Sequence, residues 1–129
     1  AVMLWAFDGP ADNPHRLENH RVRQVVYTST HDTDTLAGHF PGASAWALLE
    51  MALSSPAMLA MVPAQDVLEL GSEARMNRPG ELGGNWCWQL EPGQRARRAA
   101  ARLRASARSR ERAAKQTPRK QKQDEDDPC

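Results

Sequence analysis

His31 and Asp32 stand side by side where a β-branched and aromatic run, Val25-Val26-Tyr27-Thr28, gives way to polar residues, and a second carboxylate, Asp34, follows two places on. A run of that composition reads as a strand, and functional side chains of α/β proteins gather where such strands end. An ionised carboxylate offers acceptor positions on both oxygens, and the bonds it accepts are charge-assisted. Gln65 and Asp66 follow a second apolar run closed by Pro63, and Asn77, whose amide both donates and accepts, lies in a glycine-containing stretch over residues 71–93. Trp86 and Trp88 in that stretch carry flat apolar faces that suit either stacking on a ligand ring or closing the loop.

The elements that must position these residues follow from the patterning. Residues 1–7, an apolar run ending at Asp8-Gly9-Pro10, read as a buried strand; residues 11–23 are polar and read as a loop; residues 24–28 read as a second strand. Ser44 is placed to cap a helix over residues 45–53, whose residues favour helix, while Pro56 disfavours helical geometry at Ser55. Glu50 is its only charge, so the helix is expected to be largely buried. Residues 57–62 form a continuous apolar run that suits a strand buried on both faces. Strand, loop, helix and strand in that order make a βαβ unit.

Charge divides the chain in two. Residues 95–129 carry 12 Lys/Arg against 5 Asp/Glu, a net +7, whereas residues 1–94 carry 5 against 11, a net −6. Only the tail therefore invites polyanions, and with no aromatic residue to stack bases and an acidic run at residues 124–127, it is expected to make no more than nonspecific nucleic-acid contacts. Residues 95–115 favour helix but offer almost no large apolar side chain besides Leu103, which leaves such a helix nothing to bury; residues 116–129 have the composition of a disordered segment. Cys87 and Cys129 are the two cysteines, and they read as free thiols of a reducing, cytoplasmic setting. No apolar run approaches the length of a membrane span.

Taken together, the Tyr27–Thr35 motif YTSTHDTDT, Pro63-Ala64-Gln65-Asp66, the Gly71–Gly80 motif GSEARMNRPG and Gly84-Asn85-Trp86 resemble the last third of a 4-α-glucanotransferase, the amylomaltase or disproportionating-enzyme family (glycoside hydrolase family 77). The resemblance spans about residues 2–94. It implies an α/β fold, the C-terminal part of a (β/α)8 TIM-type barrel over residues 1–94, followed by a basic, partly helical or disordered tail over residues 95–129. It also implies transfer of a segment of a 1,4-α-glucan to a new 4-position on an acceptor, by retention, in maltodextrin or glycogen metabolism. Donor would be an α-1,4-glucan or maltooligosaccharide, acceptor glucose or a maltooligosaccharide. No cofactor and no metal are implied. By this resemblance Asp32 is the carboxylate that stabilises the transition state, His31 hydrogen-bonds the same ring, and Asn77 contacts substrate. Gln65 and Asp66 are expected at the rim of the same site, and Trp86 is a stacking candidate.

A complete barrel needs roughly 200 residues or more, so a chain of 129 is expected to be a fragment. The motifs surrounding the family's nucleophile and acid/base are not found in this sequence, so the isolated chain is expected to be inactive. Other departures are Ser29 where glycine is usual, His39 where an aromatic residue is common, Glu69 at a glycine-type turn position, and a short connection between Phe40 and Ala45. Two alternatives compete with the glucan reading. One is a metal-dependent phosphohydrolase of His-Asp type using His15, His20, His31, Asp32 and Asp34; the other is a polyanion-binding protein acting through its basic tail.

Overall fold

β1 (Val25–Tyr27) and β2 (Leu59–Met61) run parallel in the register Val25↔Leu59, Val26↔Ala60 and Tyr27↔Met61 in this computed structural model, which describes residues 1–91 and 93–110. The connection between them carries α1 (Leu36–His39) and α2 (Ala45–Ser54). It makes the expected βαβ unit, for the reasons read in the sequence. Ser44 caps α2, its hydroxyl accepting from the Ala47 N–H at 3.2 Å, and Ser55, just before Pro56, has left helical geometry. Thr35 does the same for α1, accepting from the Gly38 N–H at 3.1 Å.

The first run behaves differently from the expected strand. Val2 alone bridges Tyr27, in parallel, and Met3–Trp5 then close into a 3-10 turn. Met3 and Leu4 are thereby turned into the core instead of alternating between two faces. A loop histidine supports this edge. His15 Nδ1 accepts from the Val2 N–H at 3.0 Å, and burial holds its imidazole below the ordinary histidine pKa, which suits a ring that must keep an unprotonated nitrogen.

One face of the sheet is covered. Leu49, Ala52 and Leu53 of α2, together with Trp46, pack with Val2, Leu4, Val26 and Leu36 in two adjoining apolar clusters, and Ala60 of β2 lies against both. The other face is open, with Leu59 48% and Met61 45% exposed, so β2 is not buried on both sides as its composition suggested. Apolar content alone does not say whether a second layer exists; among the described residues none covers that face.

The basic segment also differs from expectation. Gln94–Ser109 form α4, and Leu103 packs against the main core cluster. The Arg102 guanidinium lies 3.8 Å from the Trp46 ring centroid, Arg95 donates to the Leu68 carbonyl at 2.7 Å, and Arg110 and Ser106 reach Glu50 at 3.7 and 3.2 Å. Guanidinium groups that stack on a ring or bond a carbonyl and a carboxylate dock a helix that has almost no apolar face, which a count of apolar residues overlooks. Residues 111–129, including the segment read as disordered, lie outside the described residues. Leu103→Ala is expected to lower stability by roughly 1–2 kcal/mol, since the site is only part-buried, measurable as a lower urea midpoint at unchanged slope.

Glu69 adopts φ +53°, the left-handed region in which a side chain is strained, at the position where the resemblance calls for glycine. Its ion pair with Arg102, 3.5 Å long between half-exposed side chains, is worth little in water. Glu69→Gly is therefore expected to raise stability by about 0.5–1 kcal/mol, read as a higher melting temperature; a fall would show that the pair outweighs the strain.

Candidate functional site

β1 delivers its last residues to a tight polar turn. Thr28 and Ser29 are buried, and their hydroxyls donate to the same Asp66 oxygen, Oδ2, each at 2.6 Å, while the other oxygen accepts from the Leu36 N–H at 2.8 Å. Asp66 lies on α3 (Ala64–Val67), is 0% exposed and spends both oxygens on the protein. Expected at the substrate rim, it instead ties the end of β1 to the start of α1. Its donors come from residues 30–38 positions away, and nothing local in the sequence announces them. Ser29, the departure from the family's glycine, supplies one of these bonds.

The tie holds up the exposed turn that follows. His31 Nε2 and Asp32 Oδ2 are 3.2 Å apart, and the Asn77 side-chain amide donates to Asp32 Oδ1 at 2.6 Å. The Asn77 backbone N–H donates to the His31 carbonyl at 3.0 Å, so two loops 45 residues apart are stitched by main chain and side chain together. An ionised carboxylate has about four acceptor positions. Protein groups engage one on each Asp32 oxygen, and with its side chain 50% exposed the others face solvent. His31 Nδ1 has no protein partner among the described residues. The cluster thus leaves polar positions on Asp32 and His31 open to solvent.

Trp86 joins it. Its ring lies 5.4 Å from that of His31, tilted by 32°, and its backbone N–H donates to the Met76 carbonyl at 2.6 Å with φ at +62°. Asn85 closes the intervening loop, accepting from the Arg78 N–H and donating to the Glu81 carbonyl. Gln65 is buried, its amide 3.4 Å from the Ala74 carbonyl, and lines a cleft of about 140 Å³ beside Ser29, His31 and Arg75. The structure therefore brings His31, Asp32, Asn77 and Trp86 together, sets Gln65 in a cleft beside His31 and ties Asp66 into the protein.

Asp34 accepts from Ser72 Oγ at 2.6 Å and from the Thr35 N–H at 2.8 Å, fastening α1 to the 3-10 turn Ser72–Ala74 that leads to Asn77. His20 is buried between Ser55 Oγ and the His15 carbonyl. The five residues of the phosphohydrolase alternative are thus dispersed, and among the described residues no three His, Cys, Asp or Glu side chains converge as a metal site. Cys87 is exposed and forms no disulfide among the described residues, and no described helix is long and apolar enough to cross a membrane.

A parallel strand pair that runs into an exposed polar turn, with a carboxylate partly open to solvent, is the place where α/β folds carry functional side chains. Residues 41–95 match the 4-α-glucanotransferase family model. The chain is 41% identical to the 4-α-glucanotransferase of Thermus thermophilus over 86% of its length, and 41% identical to a chloroplastic/amyloplastic 4-α-glucanotransferase of Arabidopsis thaliana over 70%. It spans 27% and 19% of those proteins. Among solved structures, the amylomaltase of Streptococcus agalactiae in complex with acarbose superposes with a TM-score of 0.76 at 20% identity, covering 86% of this chain and 26% of that one. Over these stretches the chain is similar to a part of the 4-α-glucanotransferases.

Proposed function

We propose that this segment is the sugar-gripping part of a 4-α-glucanotransferase, which passes a length of α-1,4-glucan from a donor to the 4-hydroxyl of glucose or a maltooligosaccharide with retention. The observation that carries the reading is the Asp32 carboxylate, oriented by His31 at 3.2 Å and Asn77 at 2.6 Å and still half open to solvent. In a retaining transfer the oxocarbenium-like transition state is helped by hydrogen bonds to sugar hydroxyls that tighten as charge grows. Asp32 supplies them as transition-state stabiliser, His31 and Asn77 orient the same ring, Trp86 offers an apolar face beside His31, and Gln65 shapes the floor. Acarbose, the ligand of the S. agalactiae structure, is a fitting probe of this cluster.

The remaining parts of the reading rest on the same footing. Residues 1–94 form part of a (β/α)8 barrel, supported by the parallel βαβ order and by a sheet face, with Tyr27, Leu59 and Met61 exposed, that barrel closure would bury. A cytoplasmic setting for glycogen or maltodextrin metabolism belongs to the same proposal, in keeping with a sequence of only two cysteines.

The test is to put this chain in place of the matching segment of the T. thermophilus relative and incubate the product with maltotriose. A ladder of longer maltooligosaccharides is expected; a folded chimera without one refutes the reading. The 129-residue chain by itself is expected to give no ladder. Retention needs a nucleophile and an acid roughly 5 Å apart, and neither role is filled by Asp34 or Asp66, whose oxygens are bound to Ser72 and Thr35, and to Thr28, Ser29 and Leu36.

A further inference from the structure

We infer that Arg75 is a positioning residue for the Asp32–Asn77 pair: one edge of its guanidinium clamps the main chain on both sides of the site. Arg75 Nε donates to the Asn77 carbonyl at 2.8 Å, and Nη2 donates to the Asp32 carbonyl at 2.8 Å. The side chains of those same two residues meet at 2.6 Å. Each residue is therefore held twice, by its backbone carbonyl through Arg75 and by its side chain through the other. Adding the Asn77 N–H to His31 carbonyl bond at 3.0 Å closes a ring of hydrogen bonds around the turn that aims the Asp32 carboxylate.

Two features mark this as positioning and not a chance surface contact. Arg75 forms no ion pair with a carboxylate among the described residues, so its charge-assisted bonds go to two neutral carbonyls. It is also half-buried, with its side chain lining the cleft beside His31. The planar fork of arginine fixes the spacing of the two carbonyls it holds, and a lysine ammonium, a point charge on a flexible stem, does not. Misplacement of a reacting geometry by about 1 Å costs on the order of a hundredfold in rate, so a clamp on the backbone of Asp32 bears on chemistry without touching substrate. That catalytic meaning rests on the glucan reading; the clamp itself does not.

The test uses the full 129-residue chain, labelled with ¹⁵N, and the Asn77 side-chain amide as reporter. In the parent chain one Asn77 Nδ2 proton is expected to be shifted downfield by its short bond to a carboxylate. Arg75→Lys should lose that shift while far-UV circular dichroism is retained; Arg75→Ala should lose it and regain it on addition of guanidinium ion. A general loss of structure would not be rescued that way, and if Arg75→Ala fails to fold, Arg75→Lys and Arg75→Gln carry the comparison. Acarbose affinity should fall about tenfold in Arg75→Lys and in Asn77→Ala, with the double variant no worse than either, because the two residues act as one unit. An Asn77 amide unchanged by Arg75→Lys and Arg75→Gln, or one with no downfield shift in the parent, overturns the inference. A parent chain that ignores acarbose while its Asn77 amide still follows Arg75 and guanidinium supports the clamp and counts against the glucan reading alone.

Discussion

In an enzyme completed around this segment, Asp32→Asn is expected to lower kcat by a hundredfold or more, about 3 kcal/mol of transition-state stabilisation, while leaving the fold intact. The substitution keeps the volume and removes the charge. An amide in place of the carboxylate leaves Asn77 its acceptor at 2.6 Å, but presents a donor toward His31 Nε2 at 3.2 Å and toward any sugar hydroxyl that must give up its hydrogen. Half exposure of the side chain keeps the structural cost low. The split between parameters is informative: a contact that strengthens only as charge develops affects kcat more than KM. The check is maltotriose disproportionation. Near-normal turnover by the Asn variant would remove Asp32 from the site.

Asp66→Ala is expected to have the largest effect on stability, roughly 3 kcal/mol or more, because it strands three donors in a buried place: the Thr28 and Ser29 hydroxyls and the Leu36 N–H. For a domain of about this size that corresponds to a fall in melting temperature of roughly 15 °C. Asp66→Asn should lie between, since the hydroxyls re-aim at the remaining amide oxygen. The site would be lost with the fold, because Thr28 and Ser29 lead directly into the turn that presents His31 and Asp32. A variant that keeps the parent melting temperature yet loses glucan binding would reverse this assignment and return Asp66 to the substrate rim.

The contrast between Asp32 and Asp66 shows what was legible. Asp32 is singled out in the sequence by its place after a β-branched run, beside a histidine and inside a family-like motif, and the structure sets it in an exposed turn against His31 and Asn77. Asp66 shares the setting, a carboxylate just past an apolar run, but its role is decided by three donors distant in sequence. Helix α2 is readable because its cap, its helix formers and its stop all agree, and the structure places it over Ala45–Ser54 with the Ser44 cap in use. The four-residue helices α1 and α3 carry too little periodicity to see. Arg75 left a trace only as part of an Arg-Met-Asn triplet, since a main-chain clamp depends on the conformation of the loop it holds. The docking of α4 is hidden for another reason: its contacts are arginine guanidinium groups on a tryptophan ring, a carbonyl and a carboxylate, together with one leucine, and only the leucine registers as apolar.

Titration of the ¹⁵N-labelled chain with acarbose, followed by chemical-shift changes, tests most directly whether this turn grips a glucan. Shifts are expected to concentrate on His31, Asp32, the Asn77 side-chain amide and the Trp86 indole, and to vanish in Asp32→Asn while the remainder of the spectrum is preserved. Shifts confined to the arginines of α4, or the same response in Asp32→Asn as in the parent, would contradict the account.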